Sequence, residues 1–214
     1  NAFLKYAGLL PLALGLCFYL LKTRKWEDYF SRDKLKPAKG TILFCLPLLL
    51  ILTLLFISNG GIDSFSIYTI ILVLATQIFV VAFIEEVVFR GLMLSILISK
   101  GFQVAVLTTS FLFALTHSLQ LLGGQSLEDT ILQVLYAFLI GMVLSLMIVN
   151  KKSLIIVITF HGLNNSLIMM GQNNGSSIYN YIIISILIIY SVLLWFRALK
   201  SDEIKSDKNS EIMI

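Results

Sequence analysis

Seven stretches of this chain are apolar over roughly the length of a bilayer-crossing helix, about 20 residues. They are Ala2–Leu21, Thr41–Ser58, a segment of over thirty residues from Ser66 to Ser99, Phe102–Leu122, Thr130–Val149, Leu154–Met170 and Ile178–Leu199. The runs are continuous rather than alternating, so they read as helices and not as barrel strands. Of the 214 residues, 58% are hydrophobic and 13% charged, where a soluble domain is nearer half apolar and a quarter charged. That balance disfavours a soluble protein, a disordered chain and a nucleic-acid binder together. The expected fold is all-α: a polytopic transmembrane helical bundle of about seven spans.

The basic residues orient the bundle. The connection from Lys22 to Lys39 carries Lys22, Arg24, Lys25, Arg32, Lys34, Lys36 and Lys39, and the turns at Lys100 and Lys151–Lys152 and the tail after Arg197 are basic as well. The alternate loops, Asn59–Ser64, Gly123–Asp129 and Gly171–Ser177, contain no Lys or Arg. All loops fit one arrangement, with the N-terminus outside and the C-terminus cytoplasmic. Trp26 and Trp195 then fall near cytoplasmic ends, as belt residues do. The net charge of +4 belongs to these loops and is no sign of nucleic acid. The first run lacks a basic n-region and an A-x-A site, so it is expected to remain as a helix, with Pro11 kinking it. Cys17 and Cys45 lie inside apolar runs without metal or CxxC spacing and read as small hydrophobes. One integral-membrane domain is expected over residues 1–200, with a short polar cytoplasmic tail over 201–214.

Ionisable groups at bilayer depth cost a few kcal/mol or more and mark functional sites by default. The third run holds Glu85, Glu86 and Arg90, the fourth His117 and the sixth His161; these are the only two histidines. Glu86 and Arg90, four apart, can pair along one helix face. That pair alone is as readily a structural clasp as a site. The second carboxylate changes the balance, because adjacent helical residues point about 100° apart. A buried carboxylate left over from the ion pair suits general acid–base chemistry near neutral pH.

Helix arithmetic brings these groups toward one level. Glu86 lies 14 residues before Lys100 and His117 lies 17 after it, rises of roughly 21 and 26 Å in an antiparallel hairpin. His161, nine residues past Lys152, rises roughly 14 Å, which matches if the hairpin projects into the cytoplasm beyond the sixth helix. The excess length of the third run agrees with such projection. Phe113 and His117 are four apart, so the ring can pack beneath the imidazole. His161 and Asn165, also four apart, can present two hydrogen-bond donors to one point. Thr108, Thr109, Ser110, Thr116 and Asn164 add a polar interior stripe, and Gly141 and Ser145 mark close helix packing inside the bundle.

Glu85-Glu86-Val-Val-Phe-Arg90 resembles the EExxxR motif of the CPBP intramembrane proteases, the CAAX protease and bacteriocin-processing or Abi family. Phe113-Ala-Leu-Thr-His117 is similar to that family's FxxxH motif, and His161-Gly-Leu-Asn-Asn165 to its HxxxN motif. The three occur in family order, with the core at about residues 66–170. The resemblance implies peptide-bond hydrolysis inside a helical bundle, at a site open toward the cytoplasmic side. It implies Glu85 as the base that activates water, His117 as a holder of that water, Glu86 and Arg90 as supports, and His161 and Asn165 as stabilisers of the oxyanion. Phe113 supports His117. Zinc is an alternative, with His117, His161 and Glu85 as ligands; glutamate-activated water without a metal is favoured, and no other cofactor is expected.

The expected partners are membrane lipid and a peptide or lipidated protein substrate. Richness in Ile, Lys and Asn points to an AT-rich bacterial genome, and hence to the plasma membrane and to peptide processing, bacteriocin processing or self-immunity beside CAAX-type cleavage. A non-catalytic membrane scaffold or immunity protein, and a proton-coupled transporter or channel, are the rival readings.

Overall fold

A computed structural model describes residues 6–25, 38–172 and 177–212, with backbone alone at 38–41, 177 and 202–212. Trp26 falls outside the described residues. The described chain is helical, its one strand-like feature being an isolated antiparallel bridge between Ile62 and Gly171. We number the helices α1 (Leu10–Thr23), α2 (Ala38–Ser58), α3 (Ile67–Lys100), α4 (Phe102–Thr116, continuing as a 3-10 helix His117–Gly123), α5 (Leu127–Val149), α6 (Leu154–Met170) and α7 (Ser177–Ile212). Among the described residues four apolar segments are long enough to cross a membrane: α3, Phe102–Gly123, α5 and Ile178–Ser201 of α7. Ala7–Thr23, Ile42–Ser58 and α6 are equally apolar but shorter.

Large apolar side chains such as Leu14, Phe18, Phe79, Leu122 and Phe196 face outward. Water does not tolerate so large an apolar exterior; a lipid surround does. The chain is an integral membrane protein.

Serines begin three helices. Ser66 accepts from the Thr69 amide, Ser126 from Asp129 and Ser153 from Ile155, which satisfies backbone donors that have no intrahelical partner at the starts of α3, α5 and α6. The α3–α4 turn closes at Gly101 with φ of 98°, a backbone conformation that glycine adopts without strain. Pro11 does not kink α1. A 3-10 turn, Ala7–Leu9, precedes the α-helix, and Pro11 lies in its first turn, where the missing N–H costs nothing. Pro47 instead stands inside α2. The polar stretch after Ser201 continues α7 as a helix to Ile212.

α3 is 34 residues long and is not a uniform α-helix. It is α-helical over Ile67–Thr76, π-helical over Gln77–Ala82, α-helical over Phe83–Glu86 and π-helical again over Val87–Met93. Glu85 and Glu86 therefore stand on one α-turn between two wider turns. Such π turns are rare and gather at functional sites.

The chain divides into two compact units. The first joins residues 1–92 to residues 152–186. In it α1 packs Ala13 against Val80 and Ile84 of α3. Lys152, at the entry to α6, is buried with its ammonium 4.3 Å from the centre of the Phe44 ring, a cation–π contact. The other end of α6 is held by the α2–α3 connection. Asn59 Nδ2 donates to the Leu167 carbonyl at 3.0 Å, the Asp63 amide to Met170 O at 2.9 Å, and the Gln172 amide to Asn59 O at 3.0 Å. The second unit, residues 93–151 and 187–214, is built on the α4–α5 hairpin. Thr109 and Ser145 hydroxyls meet across it at 3.2 Å, with Gly141 buried one turn from Ser145, which is the close internal packing expected of that pair. Phe102 and Trp195 meet edge to face.

The Asn59 clamp fixes the end of the helix that carries His161. Asn59→Ala is expected to lower stability by about 1 kcal/mol, the net worth of one such hydrogen bond, read as an earlier thermal unfolding transition in detergent.

Candidate active site

The first unit gathers four of the ionisable and imidazole side chains singled out in the sequence. Glu85, Glu86 and Arg90 come from α3 and His161 from α6. Glu86 and Arg90 are fully buried, and Arg90 Nη1 donates to Glu86 Oε1 at 2.8 Å. The same Oε1 lies 2.6 Å from Nδ1 of His161. On the far side of the ring, Nε2 stands 3.4 Å from Glu85 Oε2.

The spacing produces this division. Adjacent positions on a helix diverge by about 100°, so Glu86 turns inward to Arg90 while Glu85 lies at the edge. The Glu85 side chain is 32% exposed and that of Glu86 0%. Glu85 is thus part-exposed, and Glu86 is sealed.

The proton on the imidazole can be placed by hydrogen-bond logic. An ionised Glu86 carboxylate paired with Arg90 only accepts, so Nδ1 carries a hydrogen. Nε2 faces the part-exposed Glu85 carboxylate at 3.4 Å, longer than an ordinary hydrogen bond.

Asn165 lies one turn beyond His161 on α6 and is half-buried, while Asn164 is buried. Phe113 and His117 belong to the second unit. There α4 tightens from α to 3-10 geometry at His117. The His117 ring stands edge to face on Phe113, centroids 5.0 Å apart, with Nδ1 3.2 Å from the Phe113 carbonyl oxygen. This is the packing expected of the four-residue spacing. Of the polar stripe, Thr109 and Ser110 are buried, whereas Thr116 is exposed and its hydroxyl returns to the Phe113 carbonyl.

Among the described residues no group of three His, Cys, Asp or Glu side chains is arranged to hold a metal ion. Glu85 and Glu86 address opposite nitrogens of His161 rather than a common point.

Two features escaped the sequence reading. Gln77 is buried in the first π turn of α3 and donates to Met169 Sδ of α6 at 3.2 Å. Gly162, next to His161, lies against the backbone of Ile78. A small residue repeated four positions on, as Gly162 and Ser166, was the available signal.

Removing one member of a buried ion pair strands the other charge. Arg90→Met is expected to destabilise by about 3–5 kcal/mol, whereas Glu86→Gln with Arg90→Met together costs less. Unfolding of the purified variants in detergent reads both.

Residues 65–167 match the family model for Rce1-like proteins, described as type II CAAX prenyl endopeptidase Rce1-like. The matched segment contains all three motifs and both π turns of α3. No curated protein and no solved structure matches the chain. The segment that builds the Glu85–Glu86–His161 cluster is thus similar to the type II CAAX prenyl endopeptidases of the Rce1-like family.

Proposed function

We propose that the protein is an intramembrane endopeptidase that hydrolyses a peptide bond of a membrane-associated peptide or lipidated protein. The observation that carries this is the unequal pair of carboxylates. Glu85 is open and faces Nε2 of His161, while Glu86 is sealed and holds that ring through Nδ1.

Glu85 as carboxylate takes a proton from water as the water oxygen bonds to the scissile carbonyl carbon. The carbonyl π electrons move to oxygen. The oxyanion is met by His161 Nε2–H and by the Asn165 amide, donors placed where negative charge develops. On collapse the C–N bond breaks. Glu85 returns its proton to the leaving nitrogen, and the products are an amine and a carboxylic acid. Glu86 and Arg90 hold the imidazole ring in the orientation that this needs. The water-holding role of His117 rests on its motif alone.

The reaction as drawn needs no metal. The purified protein is expected to carry no stoichiometric zinc and to keep its activity in chelator; zinc lost together with activity overturns this.

The Lys- and Arg-free loops at residues 59–63 and 170–172 bond to one another. Loops on one side of a membrane can do so, which agrees with the charge pattern that puts both on the outer face; the bacterial plasma-membrane setting rests on composition alone. Peptide or bacteriocin processing and self-immunity are kept beside CAAX-type cleavage as the biological role.

The test uses protein in liposomes and a set of membrane-associated peptides that includes a farnesylated CAAX peptide. Wild type is expected to release a C-terminal fragment from at least one of them. Glu85→Gln should lower that rate by about 100- to 10,000-fold with unchanged insertion and melting. His117→Ala is expected to lower it as well. Cleavage that survives Glu85→Gln sinks the catalytic reading, and ion flux without cleavage favours a transporter.

A further inference from the structure

Helices α3 and α6 approach more closely at Gly162 than two side-chain-bearing residues allow. A Cβ added to Gly162 would lie 2.5 Å from Ile78 Cγ1, 2.7 Å from Ile78 Cα and 3.1 Å from Ile78 Cβ. The second of these is backbone, which no rotamer change can move. The two helices are therefore in main-chain contact there, as small residues permit within a membrane.

The place of this contact gives it a consequence. Gly162 directly follows His161, and Ile78 lies in the π-helical stretch Gln77–Ala82, which runs straight into Phe83–Glu86. One more bond crosses the same seam, Gln77 to Met169 at 3.2 Å, and another lies within α6 beside it, Ser166 Oγ donating to the Gly162 carbonyl at 2.7 Å. The separation of α3 and α6 at this seam sets how far the His161 ring reaches toward α3. Its two contacts there are unequal, 2.6 Å to Glu86 and 3.4 Å to Glu85. The longer one is already at the limit of a hydrogen bond, so any outward step of α6 breaks it first.

We infer that Gly162 is a positioning residue for the hydrolytic centre: its missing side chain brings His161 within reach of Glu85. This rests on the proposed proteolytic role of that centre. Gly162 touches neither water nor substrate and acts only through the distance between α3 and α6. A methyl group there forces α6 outward, and a misplacement on the order of 1 Å lowers a rate by roughly 100-fold.

The experiment measures kcat and KM of wild type, Gly162→Ala, Ile78→Ala and the double variant in liposomes. The substrate is whichever membrane-associated peptide wild type cuts best, the farnesylated CAAX peptide included. Gly162→Ala is expected to lose about 100-fold in kcat with KM within about twofold, because orientation rather than binding is disturbed. Ile78→Ala removes the nearest atom. It is expected to keep near wild-type kcat and, combined with Gly162→Ala, to restore part of the loss. With kcat referred to the folded protein, counted by its thermal unfolding signal, a merely destabilised protein would keep wild-type kcat. Wild-type kcat in Gly162→Ala overturns the inference. If Gly162→Ala does not accumulate, the double variant decides: kcat below that of Ile78→Ala supports the inference and equal kcat overturns it. The two proposals fail separately. An active Gly162→Ala beside an inactive Glu85→Gln removes only the positioning role, whereas an active Glu85→Gln removes the catalytic reading itself.

Discussion

One carboxylate oxygen holds the centre together. Glu86 Oε1 accepts from Arg90 on its own helix and from His161 on another, at 2.8 and 2.6 Å. In an interior with neither water nor free counter-ions, a lone charge at any of these positions costs several kcal/mol. The three groups are tolerable only together. That mutual need fixes α6 against α3 at one register and one rotation, with Nε2 of the imidazole turned toward Glu85. Fold and chemistry thus meet at one atom. The close approach at Gly162 and the Asn59 clamp on the last turn of α6 keep that register from relaxing.

The two adjacent glutamates show how one helix assigns different tasks to identical side chains. Their environments differ because a step of one residue turns the side chain by about 100°. One lands on a buried cation and the other at an open edge. The π turns on either side of Phe83–Glu86 isolate this α-turn within a long helix, and π geometry leaves backbone groups less regularly paired than an α-helix does. A helix of 34 residues can carry two such interruptions because its apolar neighbours, not its internal bonds alone, hold it in place.

Much of the architecture was legible in the chain. The runs at Leu154–Met170 and Phe102–Leu122 appear as helices almost to the residue, because about 20 apolar residues have few alternatives in a membrane. The serines at 66, 126 and 153 mark helix starts for a local reason that any sequence carries. Glu85, Glu86, Arg90 and His161 stood out because charge inside an apolar run is rare. What escaped depends on partners or on backbone pattern. The π turns have no side-chain signature distinct from an α-helix. Gly162 becomes informative only when Ile78 is known to lie opposite it. Pro11 read as a kink because the 3-10 turn before it could not be foreseen. The helix beyond Ser201 is polar, and polarity alone does not separate a solvated helix from a tail. Side-chain roles were named from ordered motifs, and what the fold adds is the division between an open Glu85 and a sealed Glu86.

The central claim is that Glu85 and His161 work as one unit across α3 and α6. A double-mutant cycle on kcat/KM tests it most directly, with Glu85→Gln, His161→Ala and both together. Residues that serve one step lose most of the rate when either is removed, so the double variant should be about as slow as the slower single one. Losses that multiply would mean that the two act independently, and the account of a shared centre would be wrong.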